Sequence, residues 1–386
     1  MIRHRKDIDE VERATLAPYA TRSADGGARE HAEPEDGLRS AFQRDRDRVL
    51  HSAAFRSLQH KTQVFVVHEG DLYRTRLTHT LEVAQIARSL ASYLGANADL
   101  AETISLAHDL GHTPFGHAGE EELSDALEAI GLARFDHNLQ SLRIVTELER
   151  RDPRFPGLNL SFAAREGIAR HETAYDRPPV VKAYWVSPQP AIEAQIANIA
   201  DPLAYTTHDL EDALRIGFFD EEELRELGLP IVTAAVDEAA RSAPGRANAT
   251  IRGHLVHRRL ISVLIGDVLE ATERRLAALG PSPDDRAVRD APAAVVEFSD
   301  PVKEQTDSLR RFLHKRVYKS PTVLNMCTKG RRILRALFEH FVQKPDHLPR
   351  SVQARWPAGI PATPAARAGV VIDHVGALTD RGAMDC

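Results

Sequence analysis

Apolar side chains recur every three or four residues along most of this chain, which is the spacing of one buried helix face. The clearest run extends from Thr75 to Leu94, and Gly95 follows it as a helix stop. Similar runs predict helices over 36–62, 100–109, 120–130, 138–150, 162–172, 191–216, 220–240, 251–279, 302–318 and 329–343. A short β-rich run covers 62–67, whereas 176–190 and 280–295 are predicted loops. Because no series of strand–helix–strand units is found, the predicted fold class is mostly α.

Changes in composition divide the chain into four predicted regions. Residues 1–35 are polar and are predicted to form a flexible N-terminal arm. Residues 36–217 hold the candidate chemistry, and 218–344 are predicted to add further helices. Residues 345–386 are rich in proline and alanine, which favours a poorly ordered tail.

Composition narrows the class of protein. The chain has 386 residues, of which 42% are hydrophobic, so it can bury a sizeable core in one large domain or two. Its two cysteines are too few for a disulfide scaffold and fit a reducing compartment. No secretion signal or membrane-spanning run is found, so a cytoplasmic protein is expected. A net charge of −6 gives no chain-wide reason to expect nucleic-acid binding.

One stretch, HDLGHTPFGHAGE at 108–120, concentrates groups that can bind ions or move protons. It contains His108, Asp109, His112, His117 and Glu120. A solvated helix face does not need this mixture, and an apolar core cannot hold it without partners. The stretch is therefore the first candidate for a functional site.

Four residues in a fixed order are candidate metal ligands: His79, His108, Asp109 and Asp201. Two neutral imidazoles and two carboxylates neutralise a divalent cation and leave positions for water and phosphate oxygens. Such a mixed set suits Mn, Fe, Co, Ni or Mg better than a closed structural zinc site. Taken singly, His79 could be an ordinary helix histidine and Asp201 a cap or turn residue. The specificity lies in the ordered set, each member of which adjoins an apolar helical run.

His117 and Glu120 lie three residues apart and share one face of a helical turn. A carboxylate beside an imidazole holds its tautomer and suits it to donate a proton near neutral pH. The alternative is a capping or solvated pair. His112 and His137 could contact an anionic substrate or could be structural.

The ordered ligand set and the sequence segments around it resemble those of a known family. The segments HDLGHTPFGHAGE, FDHNLQS, PGLNLSFAAREGIARHE and NIADPLAYTTHDLEDA closely resemble the bacterial deoxyguanosine triphosphate triphosphohydrolase-like proteins of the HD phosphohydrolase superfamily. The match spans roughly residues 38–340. It implies a mostly helical HD-domain phosphohydrolase fold with additional C-terminal helices, and the helices within 218–344 would complete the substrate pocket. It also implies hydrolysis of a dNTP at the α-phosphorus, which gives a deoxynucleoside and intact inorganic triphosphate.

The resemblance implies roles for individual residues. The metal ion, with Mg or Mn first and Fe, Co, Ni or Zn open, would be held by His79, His108, Asp109 and Asp201. Catalysis would depend on His117 as the catalytic histidine, with Glu120 supporting it and His112 beside them. Phosphate contacts are assigned to Arg76, His112 and His137. Apart from the resemblance, our mechanistic hypothesis adds Lys61 as a positive charge that offsets the triphosphate. Sugar or base contacts are assigned to Gln63, Tyr205, Asp209 and Tyr318.

One position departs from the pattern of this family. Many members carry a second acidic residue directly after the last metal-binding aspartate, and Pro202 stands there in this chain. Since Asp201 itself is present, the ligand set is complete, and only local contacts around it are affected.

Partners and alternative functions complete the expectations. The resemblance implies a dNTP substrate, a homo-oligomer and single-stranded DNA as a further partner, with no membrane. One alternative is an HD phosphohydrolase that acts on another nucleotide. The other is a nucleic-acid-binding protein with a silent or weakly active HD core, which would use the basic runs at 310–311 and 329–332.

Overall fold

The computed structural model describes residues 4–63, 74–173, 178–242 and 249–386. These residues are mostly helical, which confirms the predicted fold class. Within the described ranges, β-pairing is limited to isolated bridges such as that between Thr62 and Thr75. Most of the β-rich run predicted at 62–67 lies outside the described residues.

Most helices lie where the periodicity predicts them. The helix predicted over 329–343 begins earlier, at Pro321, the run 36–62 is divided into separate helices, and the predicted loop 280–295 contains the short helix Asp285–Arg289. The α-helices are Arg5–Thr15, Ser23–Gly26, Ala41–Leu50, Ala53–Ser57, Arg76–Leu94, Ala98–Ala107, Gly116–Glu128, His137–Arg143, Phe162–Ala169, Ile192–Ile216, Glu221–Glu226, Pro230–Ser242, Ala249–Ala278, Asp285–Arg289, Asp300–Leu313, Pro321–Gln343, Arg350–Gln353, Pro364–Ala377 and Asp380–Asp385. Short 3₁₀ turns occur at Leu58–His60, His108–Gly111 and Pro345–His347. Single π-turns extend two of the helices, at Ile144–Leu148 and His314–Tyr318.

The two helices that carry predicted ligands end at glycines. Gly95 has φ +66° and Gly217 has φ +84°, a left-handed conformation that glycine adopts at little cost. The helix Ile192–Ile216 continues through Pro202, which lies next to Asp201. Proline has no backbone N–H, so one helical hydrogen bond is absent beside a predicted ligand.

The chain forms two compact units, each built from separated segments. The first unit comprises Met1–Arg48, Leu81–Leu106 and Asn159–Ser320, and the second comprises Val49–Thr80, Ala107–Leu158 and Pro321–Cys386. The boundaries drawn from composition at 217 and 344 stay predictions.

The second unit has a core that includes the residues after 345. The buried side chains of Val371, Ile372 and Val375 join Phe115 and Phe338 in one apolar cluster. The expectation of a poorly ordered tail therefore differs from the structure. The proline and alanine content favours disorder, but the helix Pro364–Ala377 buries the three apolar side chains named above.

The first unit orders much of the segment that was expected to be a flexible arm. Glu12 accepts hydrogen bonds from the Ser23 amide at 2.7 Å and its hydroxyl at 2.8 Å. The amide of Thr21 donates to Glu193 at 2.9 Å, and the hydroxyl of Tyr19 donates to a main-chain carbonyl. These anchors are polar, so the apolar pattern does not reveal them.

No helix of the described ranges is both long and apolar enough to cross a bilayer.

Candidate metal centre and active site

The helix Arg76–Leu94 places two predicted site residues in its first turn. Thr75 precedes this helix, and its amide donates to the Thr78 hydroxyl at 3.0 Å, which fixes the helix start. Arg76 and His79 lie three residues apart, on one side of the helix, and both are buried. The amide of Arg76 donates to the carbonyl of Lys61 at 3.2 Å, so the preceding segment is fixed to the same turn.

His108 and Asp109 follow the helix Ala98–Ala107 in a 3₁₀ turn. Ser141 holds this turn from the helix His137–Arg143: its hydroxyl donates to the His108 carbonyl at 2.7 Å and accepts from the Gly111 amide at 2.8 Å. A Cβ atom at Gly111 would lie 2.1 Å from the carbonyl oxygen of His137. Glycine therefore allows the close backbone packing that fixes the His-Asp pair.

Three of the four predicted ligands meet in the second unit. Ligand atoms of His79, His108 and Asp109 all lie within 4.8 Å of one another, and the three side chains are buried. Two imidazoles and one carboxylate form a donor set that suits a divalent transition metal or, with water, a harder ion. The residues present therefore fit the metal ion that the sequence analysis predicts.

Asp109 is the centre of the charge pattern around these ligands. Its Oδ2 accepts a hydrogen bond from Arg76 at 3.0 Å, while its Oδ1 lies 3.1 Å from His112 Nε2 and 3.4 Å from His108 Nε2. Burial alone would raise the pKa of Asp109, but His108 and then Arg76 hold that pKa well below its usual value. Asp109 is therefore a carboxylate, which is the form that binds a metal ion.

The fourth predicted ligand, Asp201, belongs to the first unit. Its Oδ2 lies 3.5 Å from Nε2 of His171, and Nδ1 of His171 lies 3.0 Å from the amide oxygen of Asn198. His171 was missed by the sequence analysis, although it stands in the quoted segment PGLNLSFAAREGIARHE. The membership of Asp201 in the same metal centre stays a prediction.

A second group of histidines surrounds Glu120 in the second unit. The carboxylate of Glu120 accepts from the His137 amide at 2.9 Å, and His137 Nδ1 lies 3.0 Å from both of its oxygens. His117 Nδ1 lies 3.6 Å from Glu120 Oε2, and its side chain is 63% exposed. His112 stacks on His137 with ring centroids 3.9 Å apart. His117 is thus the accessible member of a group whose other members are buried or half-buried.

Burial and neighbouring charges set the protonation states in this group. Burial lowers the pKa of His112 well below its usual value, and Arg76 adds to that effect by repulsion. Burial would raise the pKa of Glu120, but His137 and a hydrogen bond from His117 hold it well below its usual value. The group therefore combines a neutral His112 with an ionised Glu120.

Three polar atoms beside these groups have no hydrogen-bond partner within the described ranges. They are Gln63 Oε1, Arg76 Nε and His112 Nδ1, and all three atoms are buried. Buried polar atoms are costly unless they are paired. A bound ligand could therefore pair with Arg76 and His112, which are predicted to contact phosphate, and with Gln63, which is predicted to contact the sugar.

Lys61 has a different role from the one expected. It is fully buried, and its ammonium donates to the carbonyls of His112 and Gly376, the second at 3.0 Å. Burial lowers the pKa of Lys61 to about 7, and repulsion from Arg76 acts in the same direction. Because the ammonium is committed to backbone carbonyls, Lys61 holds segments together instead of facing a phosphate.

The predicted sugar and base residues of the first unit are partly brought together. The hydroxyl of Tyr318 donates to Asp209 Oδ2, and Tyr205 lies one helical turn before Asp209. The guanidinium of Arg310 lies 5.4 Å from the centroid of the Tyr205 ring, and its Nε donates to Thr206 at 3.1 Å. Arg310 belongs to a basic run that the nucleic-acid-binding alternative would use, but the structure buries it.

The other basic run is also partly neutralised. Arg331 pairs with Glu121, and a Cβ atom at Gly330 would lie 2.6 Å from the ring of Phe115. The backbone of the run 329–332 therefore packs against the core at one position. This arrangement gives less support to a nucleic-acid-binding surface than the sequence alone.

Comparison with known proteins agrees with the geometry. The family model described as "HD domain" matches residues 76–206, and that described as "Phosphohydrolase-associated domain" matches 296–386. A deoxyguanosinetriphosphate triphosphohydrolase-like protein of Syntrophus aciditrophicus is 44% identical over 384 residues, which cover 99% of this chain and 95% of the relative. Relatives of the same name from Ralstonia nicotianae and Cereibacter sphaeroides are 45% and 43% identical; each alignment covers 96% of this chain, with 92% and 98% of the relatives.

The helical fold, the HD-domain match and the grouped His79, His108 and Asp109 define an HD-domain phosphohydrolase. With relatives at 43% to 46% identity over nearly its whole length, the chain belongs to the family of deoxyguanosinetriphosphate triphosphohydrolase-like proteins. The family recognised from the motifs is thereby confirmed.

Proposed function

We propose that this chain is a metal-dependent dNTP triphosphohydrolase. Water attacks the α-phosphorus, the bond from that phosphorus to the 5′ oxygen breaks, and the products are a deoxynucleoside and intact inorganic triphosphate. The observation that carries the proposal is the group His117, Glu120 and His137 beside a buried set of metal ligands. The names of the relatives support a nucleoside triphosphate as the substrate class.

The metal ion would be held by His79, His108 and Asp109, with Asp201 as the proposed fourth ligand. A divalent ion at these ligands supplies Lewis-acid chemistry, since it offsets charge at phosphorus and lowers the pKa of a coordinated water. Mg or Mn is the proposed ion. The Arg76 guanidinium keeps Asp109 oriented through the hydrogen bond at 3.0 Å.

The leaving 5′ oxygen needs a proton, and His117 is the proposed donor. Its Nδ1 faces Glu120, so the opposite ring nitrogen is the one that can reach a substrate. His137 fixes Glu120 from the other side through two contacts at 3.0 Å. The carboxylate therefore holds the orientation of His117 while the exposed face of that ring stays accessible.

The triphosphate needs donors, and the second unit offers them. The Nε–H of Arg76 has no partner within the described ranges, and it is a proposed phosphate contact together with His112 and His137. Gln63 presents a buried amide oxygen that can accept from the 3′ hydroxyl of a sugar. Tyr205, Asp209 and Tyr318 stay proposed sugar and base contacts, as the family resemblance implies.

The proposal is tested by product analysis. The pure protein is incubated with each dNTP, singly and in mixtures, with Mg or Mn, and the products are separated by ion-exchange chromatography. We expect deoxynucleoside and intact triphosphate, and no turnover after chelation of the metal. Release of diphosphate or monophosphate would contradict the proposed cleavage site, and hydrolysis only of another nucleotide class would favour the alternative phosphohydrolase.

The proposed partners have separate measurements. A homo-oligomer is tested by light scattering of the purified chain, and binding of single-stranded DNA by its salt dependence. The cytoplasmic location is tested by cell fractionation. The oligomer and the DNA partner are proposed from the family resemblance, and the location is proposed from composition.

A further inference from the structure

Asp380 connects two distant segments of the second unit. Its Oδ1 accepts a hydrogen bond from the Phe115 amide at 2.9 Å, and its Oδ2 accepts from the Thr62 amide at 2.9 Å and from the Thr62 hydroxyl. The side chain is only 4% exposed. An aspartate in the first turn of a helix often serves that helix as a cap, but here Thr379 caps the helix by accepting from the Gly382 amide. The carboxylate of Asp380 is therefore committed to the two other segments.

Lys61 completes the connection from the opposite side. Its buried ammonium donates to the carbonyl of His112 and to that of Gly376. Burial and then Arg76 disfavour the ammonium form of Lys61 and lower its pKa, whereas the Asp380 carboxylate of the same unit favours that form. The segments 61–63, 112–116 and 376–380 are thus tied by charged side chains to one another's backbone.

The tied segments carry the proposed machinery. Gln63 directly follows Thr62, and Phe115 directly precedes the helix Gly116–Glu128, which contains His117. Phe115 has φ +60° and Gly116 has φ +61°, and a non-glycine residue in this region is strained. Such a turn persists only where surrounding contacts hold it, and the Asp380 carboxylate holds the Phe115 amide.

We propose that Asp380 is a positioning residue that keeps Gln63 and the start of the His117 helix in one geometry through its bonds to Thr62 and Phe115. The proposal rests on the proposed function, because it assigns Asp380 an effect on the reaction. It gives the region matched as a phosphohydrolase-associated domain a role in holding the site. Asp380 touches no reacting atom in this account.

Asp380→Asn is the first test, with Asp385→Asn as the matched control. An asparagine presents an NH₂ group to one of two donors, so it cannot accept from both Thr62 and Phe115. The control lies on the same helix, where Asp385 is exposed and contacts only Arg381 among the pairs found. We expect kcat to fall by about 10- to 100-fold in the first variant, because small displacements of reacting groups are costly. The control should keep the wild-type rate.

Two further readouts separate positioning from a general loss of folded protein. A smaller folded fraction lowers kcat without changing KM, whereas a displaced Gln63 raises KM as well. Hydrogen–deuterium exchange should be faster at the amides of Thr62 and Phe115 in Asp380→Asn and unchanged in the control. Bound metal should stay at the wild-type level in both variants.

Thr62→Val provides a milder variant if Asp380→Asn folds poorly. It removes only the hydroxyl donor to Asp380, so we expect kcat to fall by about two- to fivefold, a fraction of the Asp380→Asn effect, with non-additive effects in the double variant. Wild-type kcat and KM in both folded variants would overturn the proposal, as would unchanged exchange at the two amides. If the wild-type chain itself hydrolyses no dNTP, the proposed function fails, and the exchange comparison alone decides whether Asp380 holds the two segments.

Discussion

The Arg76 guanidinium donates a hydrogen bond at 3.0 Å to Oδ2 of Asp109, and both side chains are buried. The same aspartate presents its Oδ1 to the imidazoles of His108 and His112. One oxygen is therefore fixed by a guanidinium, while the other lies beside two imidazoles.

Loss of Arg76 should weaken the metal centre. In Arg76→Ala we expect metal affinity and kcat/KM each to fall by about 10- to 100-fold, because the partner that orients Asp109 is removed. Metal content by mass spectrometry and steady-state kinetics check this. Arg88→Ala is the matched control on the same helix, since its side chain is 42% exposed and pairs with Asp99 and Glu102. Equal effects in both variants would contradict the assigned role.

Loss of the proposed proton donor should abolish most turnover and leave the metal. In His117→Ala we expect kcat to fall by about 10²- to 10⁴-fold, the usual contribution of a positioned acid or base. His340→Ala serves as control, because His340 is an exposed histidine of the same unit that contacts His347 at 3.0 Å. A His117→Ala variant with near-normal kcat would show that another group protonates the leaving oxygen.

Gly111→Ala should destabilise the second unit. Its Cβ would lie 2.1 Å from the His137 carbonyl oxygen and 2.4 Å from the Ser141 amide, and backbone atoms cannot move aside cheaply. We expect a loss of about 3 kcal/mol in the free energy of unfolding. Gly369→Ala is the control, since nothing lies within 4 Å of its Cβ, and it should stabilise its helix by about 0.5–1 kcal/mol. Urea denaturation measures both.

The stability of the first unit should depend on pH through Glu193. Burial raises the pKa of this carboxyl from 4.5 to about 7, so the folded state binds more protons than the unfolded state between these values. The free energy of unfolding should therefore fall as pH rises through this window, by on the order of 3 kcal/mol for this group. Glu193→Gln imitates the protonated form and should flatten the dependence, as measured by urea denaturation from pH 5 to 8.5.

A control variant separates this effect from a change in overall charge. Glu226→Gln removes one exposed carboxylate from the same unit, so it should leave the pH dependence unchanged. A Glu193→Gln variant with the wild-type slope would mean that Glu193 ionises alike in both states.

The sequence predicts what depends on local spacing. The helix Arg76–Leu94 is read from its apolar repeat, and the neighbours His108 and Asp109 need no long-range information to be grouped. Contacts between distant segments leave no such repeat. Asp380 and Thr62 are 318 residues apart, so the sequence around neither residue predicts their hydrogen bond.

Burial of charge is a second limit on what the sequence can predict. Lys61 and Arg310 are of residue types that are usually exposed, but the structure shows both to be buried with polar partners. Glu12 and Glu193 likewise order the N-terminal segment through polar contacts that a hydrophobic pattern does not record. Their positions follow from packing in three dimensions, which only the assembled unit determines.

The bonds from Asp380 to Thr62 and Phe115 have a consequence for a chain that is still being synthesised. Translation supplies His79, His108 and Asp109 early, and Asp201 is the last of the proposed ligands to be made. At ~5–20 residues per second, Asp380 is made about 10 to 40 s after Asp201. During that interval the ligands exist without the carboxylate that fixes the turn at Phe115. A nascent chain on the ribosome therefore holds the ligand residues before it can hold the geometry of the finished site.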